Sequence, residues 1–127
     1  MKPCHLTITT TIEDEETSIS RNGEFALSSF SAKVCYREEN ALVCLEWEDH
    51  TLKIERLGDY TLRLFLQEDE ITSGSIGLSG AEGEIQTYTS RLACSLQKQS
   101  FLCSAHYVLI FGEEKQRMKI RLFAKGI

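Results

Sequence analysis

The sequence is poor in proline, in closely spaced cysteines and in long apolar runs. Only one of its 127 residues is proline, so extended segments are rarely interrupted. No apolar run approaches the roughly 18 residues that a membrane-spanning helix needs, which excludes a span of that kind. The first residues lead directly into an alternating pattern without an apolar signal core, and this predicts a cytoplasmic protein.

The cysteines lack the spacing of a disulfide framework or of a zinc site. There are five of them, an odd number, and no two form a Cys-x-x-Cys pair. Zinc sites use closely spaced ligand pairs, whereas here only Cys4 and His5 are neighbours. The pattern therefore predicts five reduced thiols, with no metal and no cofactor. The cysteines are Cys4, Cys35, Cys44, Cys94 and Cys103.

Motifs for catalysis are also missing. No Gly-x-Ser-x-Gly turn accompanies the three histidines, so a Ser-His-Asp arrangement is not indicated. Glu46, Glu48 and Glu55 suggest paired carboxylates for acid–base chemistry. They alternate, however, onto the face opposite Trp47, where charged surface pairs explain them better. We predict no catalytic residue and do not expect the chain to be an enzyme.

The net charge of −5 argues against nucleic acid as the main partner, because phosphate binding needs a basic surface. Acidic residues dominate the first half of the chain, whereas residues 115–125 are basic. Charge runs of this kind are typical of solvated strand faces and turns, and we expect that role here. The sequence predicts neither a nucleic-acid partner nor a membrane partner.

Apolar and polar residues alternate along most of the chain, as they do in half-buried β-strands. Leu6, Ile8, Thr10 and Ile12, for example, share one face of the first segment. The pattern predicts about eight to ten strands in sequential hairpins and no helix. Such a long meander tends to close, because closure removes exposed edges. The sequence therefore predicts an all-β fold, a single antiparallel up-and-down β-barrel over residues 1–127.

The turn positions fix the register of the central hairpins. Turns centred on Glu39-Asn40 and Asp49-His50 bring apolar residues together on one face and opposite charges together on the other, as a correct register should. The first turn predicts the pairs Ala32–Trp47, Val34–Leu45, Tyr36–Val43, Lys33–Glu46 and Cys35–Cys44. The second predicts Trp47–Leu52, Leu45–Ile54 and Glu46–Lys53. Trp47 is accordingly expected in the barrel interior beside Leu52 and Ala32.

The later hairpins are registered in the same way. A turn centred on Lys98-Gln99 predicts Leu96–Phe101, Cys94–Cys103 and Leu92–Ala105. A turn centred on Glu113-Glu114 predicts Leu109–Met118, Tyr107–Ile120 and Ala105–Leu122. Residues 84–97 are expected to form a long strand that bends near Ser90.

Two segments are less regular. Asn22-Gly23 is either a two-residue hairpin turn, or Gly23 is a bulge within a longer strand that ends near Ala26. Residues 79–83 are the most glycine-rich connection and are predicted to form a flexible loop at the barrel rim.

The order of short motifs along nearly the whole chain resembles that of a known family. The motifs are the Thr-rich strand Ile8-Thr9-Thr10-Thr11-Ile12, Gly23-Glu24-Phe25, Tyr36-Arg37-Glu38, Ile54-Glu55-Arg56-Leu57-Gly58-Asp59-Tyr60, Gly74 and Tyr107-Val108-Leu109. In this order they resemble the uncharacterised bacterial YwiB-like family, a domain of unknown function. The resemblance implies a calycin-like, lipocalin-like barrel and no established activity. Ala81-Glu82-Gly83 departs from the family pattern, which puts a function of that rim segment in doubt.

The interior is the natural ligand site of a barrel, although small barrels are also filled by their own side chains. The candidate ligand-binding residues, in the interior and at its mouth, are Tyr36, Trp47, Arg56, Tyr60 and Tyr107. An aromatic-lined cavity with one cation at its mouth suits an apolar acid. The first hypothesis is therefore a non-catalytic cytosolic binding module for a small, partly apolar ligand.

The alternative is a protein-interaction domain with a filled core and no ligand. In the last hairpin, apolar residues point outward as well as inward, which suggests that something covers the outer face. A homodimer through Val108, Ile110 and Phe123 is one candidate. A chain terminus folding back and masking by long charged side chains are the others.

Cys35 and Cys44 face each other at a position where a cross-strand disulfide is geometrically conceivable. Two reduced thiols are nevertheless expected in a reducing cytoplasm.

Overall fold

The computed structural model describes residues 1–127 and consists of ten β-strands. It contains no helix long and apolar enough to cross a membrane. The strands are β1 (Lys2–Ile12), β2 (Glu15–Leu27), β3 (Ser31–Glu38), β4 (Ala41–Glu48), β5 (Thr51–Gly58), β6 (Tyr60–Leu66), β7 (Ile71–Leu78), β8 (Ala81–Leu96), β9 (Ser100–Phe111) and β10 (Glu114–Gly126).

Every strand pairs antiparallel with its neighbours in the chain, and β1 pairs with β10 to close the barrel. The predicted all-β, antiparallel up-and-down barrel is therefore confirmed. Because the strands alternate in direction, the turns fall at two ends. We call the end that carries the β1–β2, β3–β4, β5–β6, β7–β8 and β9–β10 turns the rim end. The opposite end, with the other turns and both termini, is the terminal end.

The register predicted for β3, β4 and β5 is confirmed. Val34 pairs with Leu45, and Leu45 in turn pairs with Ile54. All three side chains are buried. The predicted charge pairs Lys33–Glu46 and Glu46–Lys53 lie on the outer face. The alternation of side chains was sufficient to predict this register, because a slip of one residue would bury the charged side chains of the outer face.

The last hairpin is shifted by two residues from the prediction. Tyr107 pairs with Met118 and Ala105 with Ile120, so the turn consists of Gly112 and Glu113. Gly112 has a φ of 59°, a left-handed conformation that glycine adopts without a steric penalty. A shift of two residues leaves every side chain on its predicted face, which is why the pattern alone did not reveal the error.

Two irregular segments also have a definite structure. Of the two alternatives at Asn22-Gly23, the longer strand is the one found and the hairpin turn is not, because β2 continues through these residues in unbroken register with β1. The strand extends to Leu27, and Gly23 sits in the ladder without a bulge. The expected flexible loop at residues 79–83 is a two-residue turn, Ser79-Gly80, with φ of 53° and 83°. The predicted bend in β8 is confirmed as a register shift between Thr89 and Arg91.

The seam between β2 and β3 is short. These strands pair only between Glu24 and Leu27 on β2 and Cys35 and Ala32 on β3. Residues 15–23 pair with β1 alone. The rim half of β2 therefore diverges from β3, and this is the weakest point of the closed wall.

Candidate functional site

The barrel interior is packed, with a small residual exposure on the rim side. Leu6 and Leu122, toward the terminal end, have no exposed surface, whereas Leu109 and Ile120, toward the rim, retain 7% and 8%. Tyr36, Val43 and Tyr107, also toward the rim, and Ile54 at mid-barrel retain 5–7%. These six residues belong to the buried core and keep only a small contact with solvent. We call the region of the interior that they bound the rim chamber.

Tyr36 and Tyr107 supply phenol groups to the rim chamber. Burial raises the pKa of both, that of Tyr107 to about 12. Each phenol therefore stays neutral near pH 7 and can both donate and accept a hydrogen bond. The two rings combine an apolar body with a polar tip, which suits an amphipathic ligand.

Thr87 and Thr89 are the polar residues of the interior that the sequence analysis missed. Both are almost fully buried, and neither Oγ1 atom has a hydrogen-bond partner. They pair with Leu109 and Tyr107 respectively, so they stand beside two residues of the rim chamber. A buried hydroxyl without a partner costs about 1–3 kcal/mol. Thr87 and Thr89 follow the apolar Ile85 at every second position, and this spacing could have indicated that they face inward.

Arg56 lies at the mouth, where it was expected. Its Nη1 atom is 2.8 Å from Asp59 Oδ1, and its Nε atom is 3.7 Å from Glu38 Oε2. Nη1 also donates to the carbonyl oxygen of Tyr60 over 3.0 Å, and the guanidinium lies 3.8 Å from the centre of the Tyr60 ring. The hydrogen bond from Arg56 lowers the pKa of Asp59. These partners orient Arg56 and neutralise most of its charge.

Arg21 is a second cation near the chamber that sequence reasoning missed. It pairs with Leu6, whose side chain is inward, so Arg21 has inward parity although it is exposed. Its charge acts on the phenol of Tyr36 and partly opposes the effect of burial on that pKa. The sequence left open whether Asn22-Gly23 is a turn or part of a longer strand. Arg21 belongs to the barrel wall only in the second case, so its placement could not be predicted.

Trp47 does not join the other candidate residues. It has the predicted partners Ala32 and Leu52, but it lies near the terminal end and is only partly buried. Its ring meets His50 edge-on, with centroids 6.2 Å apart. The predicted neighbours and inward face of Trp47 are confirmed, whereas its burial is partial, because at this end of β4 the ring reaches the edge of the core rather than its centre.

The expectation of five free thiols is wrong for one pair. Cys35 and Cys44 form a disulfide across β3 and β4, with their Cα atoms 4.2 Å apart. The register brings the two residues directly opposite each other, and this proximity favours the bond. Cys4, Cys94 and Cys103 are free. A hydrogen bond with Cys94, reinforced by burial, raises the pKa of Cys103, so this thiol is a poor nucleophile.

The outer carboxylates take part in surface ion pairs. Glu55 Oε2 is 2.6 Å from Arg63 Nε and 3.9 Å from Lys53 Nζ. The hydrogen bond from Arg63 lowers the pKa of Glu55. No group of three or more His, Cys, Asp or Glu residues is arranged to hold a metal ion.

The residues expected at a dimer interface lie on the outer face, as the parity requires. Val108 and Ile110 are half-buried, whereas Phe123 is 42% exposed. Charged residues of β10 stand directly opposite the first two, Arg117 beside Val108 and Lys115 beside Ile110. Their stems shield part of the apolar surface.

Comparison with known proteins gives one family and one similar fold. No curated protein matches the sequence. The crystal structure of the YwiB protein from Bacillus subtilis superimposes with a TM-score of 0.86 at 17% sequence identity, covering 99% of this chain and 92% of that one. At that identity the likeness concerns the fold. The family described as "Domain of unknown function (DUF1934)" matches residues 4–122. The chain belongs to the DUF1934 family.

Proposed function

We propose that this protein is a non-catalytic binding module that takes a small, partly apolar molecule into the rim chamber, as lipocalin-like barrels use their interiors. The observation that carries the proposal is the pair of buried, unpartnered hydroxyls of Thr87 and Thr89. Buried hydroxyls in folded proteins normally have a partner. Neither Oγ1 atom has accessible surface in the ligand-free structure, so a polar group of a bound molecule supplies a partner once neighbouring side chains move aside.

The lining defines the class of ligand. Val43, Ile54, Leu109 and Ile120 offer apolar surface, while Tyr36 and the two threonines offer hydrogen bonds. At the mouth, Arg56 is already engaged by Asp59 and Glu38. Arg21 has no ion-pair partner in the structure and carries the uncompensated positive charge. An apolar acid of modest size fits this distribution, with its chain in the chamber and its acid group toward Arg21.

The chemistry of the lining favours binding over catalysis. Two phenols with raised pKa values and two threonines provide no base or activated nucleophile near pH 7. We place the module in the cytoplasm; the three free thiols support this setting, whereas the Cys35–Cys44 disulfide is of a kind that is rare there.

Native mass spectrometry of protein purified from cells without denaturation tests the proposal. We expect a reproducible added mass that disappears when the protein is denatured. If the protein always shows its bare mass and is found with a partner or as a dimer, the result supports the alternative, an interaction domain with a filled interior.

A fluorescent probe locates the site. Anilinonaphthalene sulfonate is an apolar aromatic acid, and its emission should rise when it enters the rim chamber. Val43→Trp fills the chamber and should abolish the rise, whereas Ile110→Trp adds the same ring to the outer face and should preserve it. Tyr36→Phe keeps the fold and removes one hydrogen bond, so it should weaken binding several-fold. Equal loss in Val43→Trp and Ile110→Trp contradicts a site in the chamber.

A further inference from the structure

The chain is acidic overall, but folding gathers several positively charged side chains on the outer face of one strand. The outward positions of β10 from residue 115 to residue 125 are Lys115, Arg117, Lys119, Arg121, Phe123 and Lys125, all of them exposed. Outward neighbours on one strand are about 6.8 Å apart, twice the rise of about 3.4 Å per residue. They form a regular row of cations that is interrupted by a single aromatic ring. We call this row the basic stripe.

The basic stripe has few acidic partners. Arg117 is 2.9 Å from Glu13 and 3.6 Å from Asp14. No ion pair is found for Lys115, Lys119, Arg121 or Lys125. The pKa of His106, which lies opposite Lys119, is lowered first by burial and then by the charges of Lys119 and Arg91. The positive charge on this face is therefore not compensated within the chain.

The strands on either side of the stripe present different groups. On β1, Thr7, Thr9 and Thr11 stand opposite Phe123, Arg121 and Lys119. Their hydroxyls can donate hydrogen bonds to an anion. The face thus has a row of hydroxyls on one side of the row of cations.

Beyond the stripe, β9 and β8 offer apolar and aromatic surface. Leu102 stands opposite Phe123, and Val108 stands opposite Tyr88 of β8. Arg91 of β8 lies opposite His106 and extends the positive charge to this side. Phe123 is exposed and Tyr88 is half-buried, and rings beside a cation row are what bases stack on in proteins that bind single strands.

A second copy of the chain is a poor occupant of this face. A two-fold axis places the same surface against itself. Here that arrangement sets one basic stripe against the basic stripe of the second copy, and like charges across an interface cost several kcal/mol. The half-buried Val108 and Ile110 do not offset such repulsion.

We propose that the outer face of β8, β9, β10 and β1 binds single-stranded nucleic acid. The basic stripe follows the phosphate backbone, the threonines of β1 bond to phosphate oxygens, and Phe123 and Tyr88 stack on bases. The net charge of −5 makes such a partner unexpected from composition. The stripe provides a local basic surface that composition does not reveal.

Fluorescence anisotropy with labelled 20-nucleotide oligothymidylate and oligouridylate measures the binding. For about four phosphate contacts, the affinity should fall about 50-fold between 50 mM and 200 mM salt, since the logarithmic slope is about −0.7 per contact on a single strand. A duplex of equal length should bind more weakly, because its bases cannot reach Phe123.

Matched variants separate this surface from general electrostatics. Lys119→Gln with Arg121→Gln should weaken binding at least tenfold and make the salt dependence shallower. Lys33→Gln with Lys53→Gln removes the same charge from the face of β3 and β5 and should leave binding unchanged. Phe123→Ala should weaken binding about tenfold, the effect of one lost stack, whereas Phe65→Ala on β6 should have no effect. Thermal unfolding of each variant verifies the fold.

Three results overturn the proposal: no binding of either oligonucleotide at 50 mM salt, equal losses in the two double variants, or no loss in Phe123→Ala. Sedimentation with phosphatidylglycerol vesicles is run in parallel. Binding to the vesicles without binding to oligonucleotides assigns the stripe to a membrane surface instead.

Discussion

Thr87 and Thr89 occupy inward positions of β8 that the alternation of the barrel wall would normally fill with apolar side chains. Their hydroxyls lack partners, so in the ligand-free protein they lower stability. Thr72, on the neighbouring strand, differs because its hydroxyl donates to the carbonyl oxygen of Phe65. The three residues form a natural test of what a buried hydroxyl costs.

We predict that Thr89→Val raises the free energy of unfolding of the ligand-free protein by about 1 kcal/mol, because valine keeps the shape and removes the unpaired hydroxyl. Thr72→Val should lower it by about 1 kcal/mol, since a carbonyl loses its donor. Urea denaturation measures both. A loss of stability in Thr89→Val shows that its hydroxyl is already satisfied, and it removes the main support for a polar ligand group in the chamber.

Tyr107 makes stability depend on alkaline pH. Its pKa is 10 in the unfolded chain, and burial raises it to about 12 in the folded protein. The folded state retains a proton that the unfolded state releases, so stability falls as the pH rises. The contribution is complete below pH 10 and declines between pH 10 and about 12, by up to about 3 kcal/mol at 1.36 kcal/mol per unit.

Urea denaturation at intervals from pH 9 upward tests this expectation. Tyr107→Phe should flatten the decline, and the exposed Tyr60 provides the control substitution Tyr60→Phe. An unchanged slope in Tyr107→Phe assigns the effect to another group, Tyr36 first, since its pKa is also raised by burial.

At the scale of elements, the β3–β4 hairpin shows how the register of two strands decides which side chains lie close enough to react. The same pairing that buries Val34 against Leu45 sets Cys35 opposite Cys44. That register permits the disulfide but does not by itself require it, because Cys94 and Cys103 also pair across β8 and β9 and remain free.

We predict three free thiols when the protein is unfolded in denaturant without reductant, and five after reduction. The three are Cys4, Cys94 and Cys103. Thiol titration measures the number, and a Cys35→Ser, Cys44→Ser double variant should give three under both conditions. Five thiols before reduction in protein handled under air contradict the bond.

At the scale of the whole molecule, the barrel is closed unevenly. β9 and β10 pair over nearly their full length, whereas β2 and β3 pair only near Phe25. Regions with few backbone hydrogen bonds to neighbours open with the lowest free energy. The β2–β3 seam is therefore where the wall should open, beside Arg21 and Tyr36 of the proposed binding site.

We predict that amides of residues 15–23 and 36–38 exchange faster than those of any other strand segment, and that amides of β9 and β10 exchange slowest. Hydrogen–deuterium exchange measured by mass spectrometry tests the order. Binding of a ligand in the rim chamber should slow the seam selectively. A seam as protected as β9 shows that the wall is uniform and that entry to the chamber lies elsewhere.

The alternation of apolar and polar residues by itself determined the strands, their order and the closed barrel, because in most strands a one-residue slip buries charge. It also determined which residues of β3, β4 and β5 face inward, and hence the placement of Tyr36 and Arg56. It did not determine the register of β9 and β10, since a shift of two residues preserves both faces and only the conformation of Gly112 decides between them.

Other features depend on contacts between strands distant in sequence. The partial exposure of Trp47 depends on where the core ends, and the placement of Arg21 in the wall depends on β2 continuing through Asn22-Gly23 in register with β1. The basic residues between 115 and 125 were visible in the sequence, but their role could not be inferred from the sequence alone. Alternation alone puts these cations on one face of β10, whereas closure of β10 between β1 and β9 sets them between threonines on one side and apolar residues on the other.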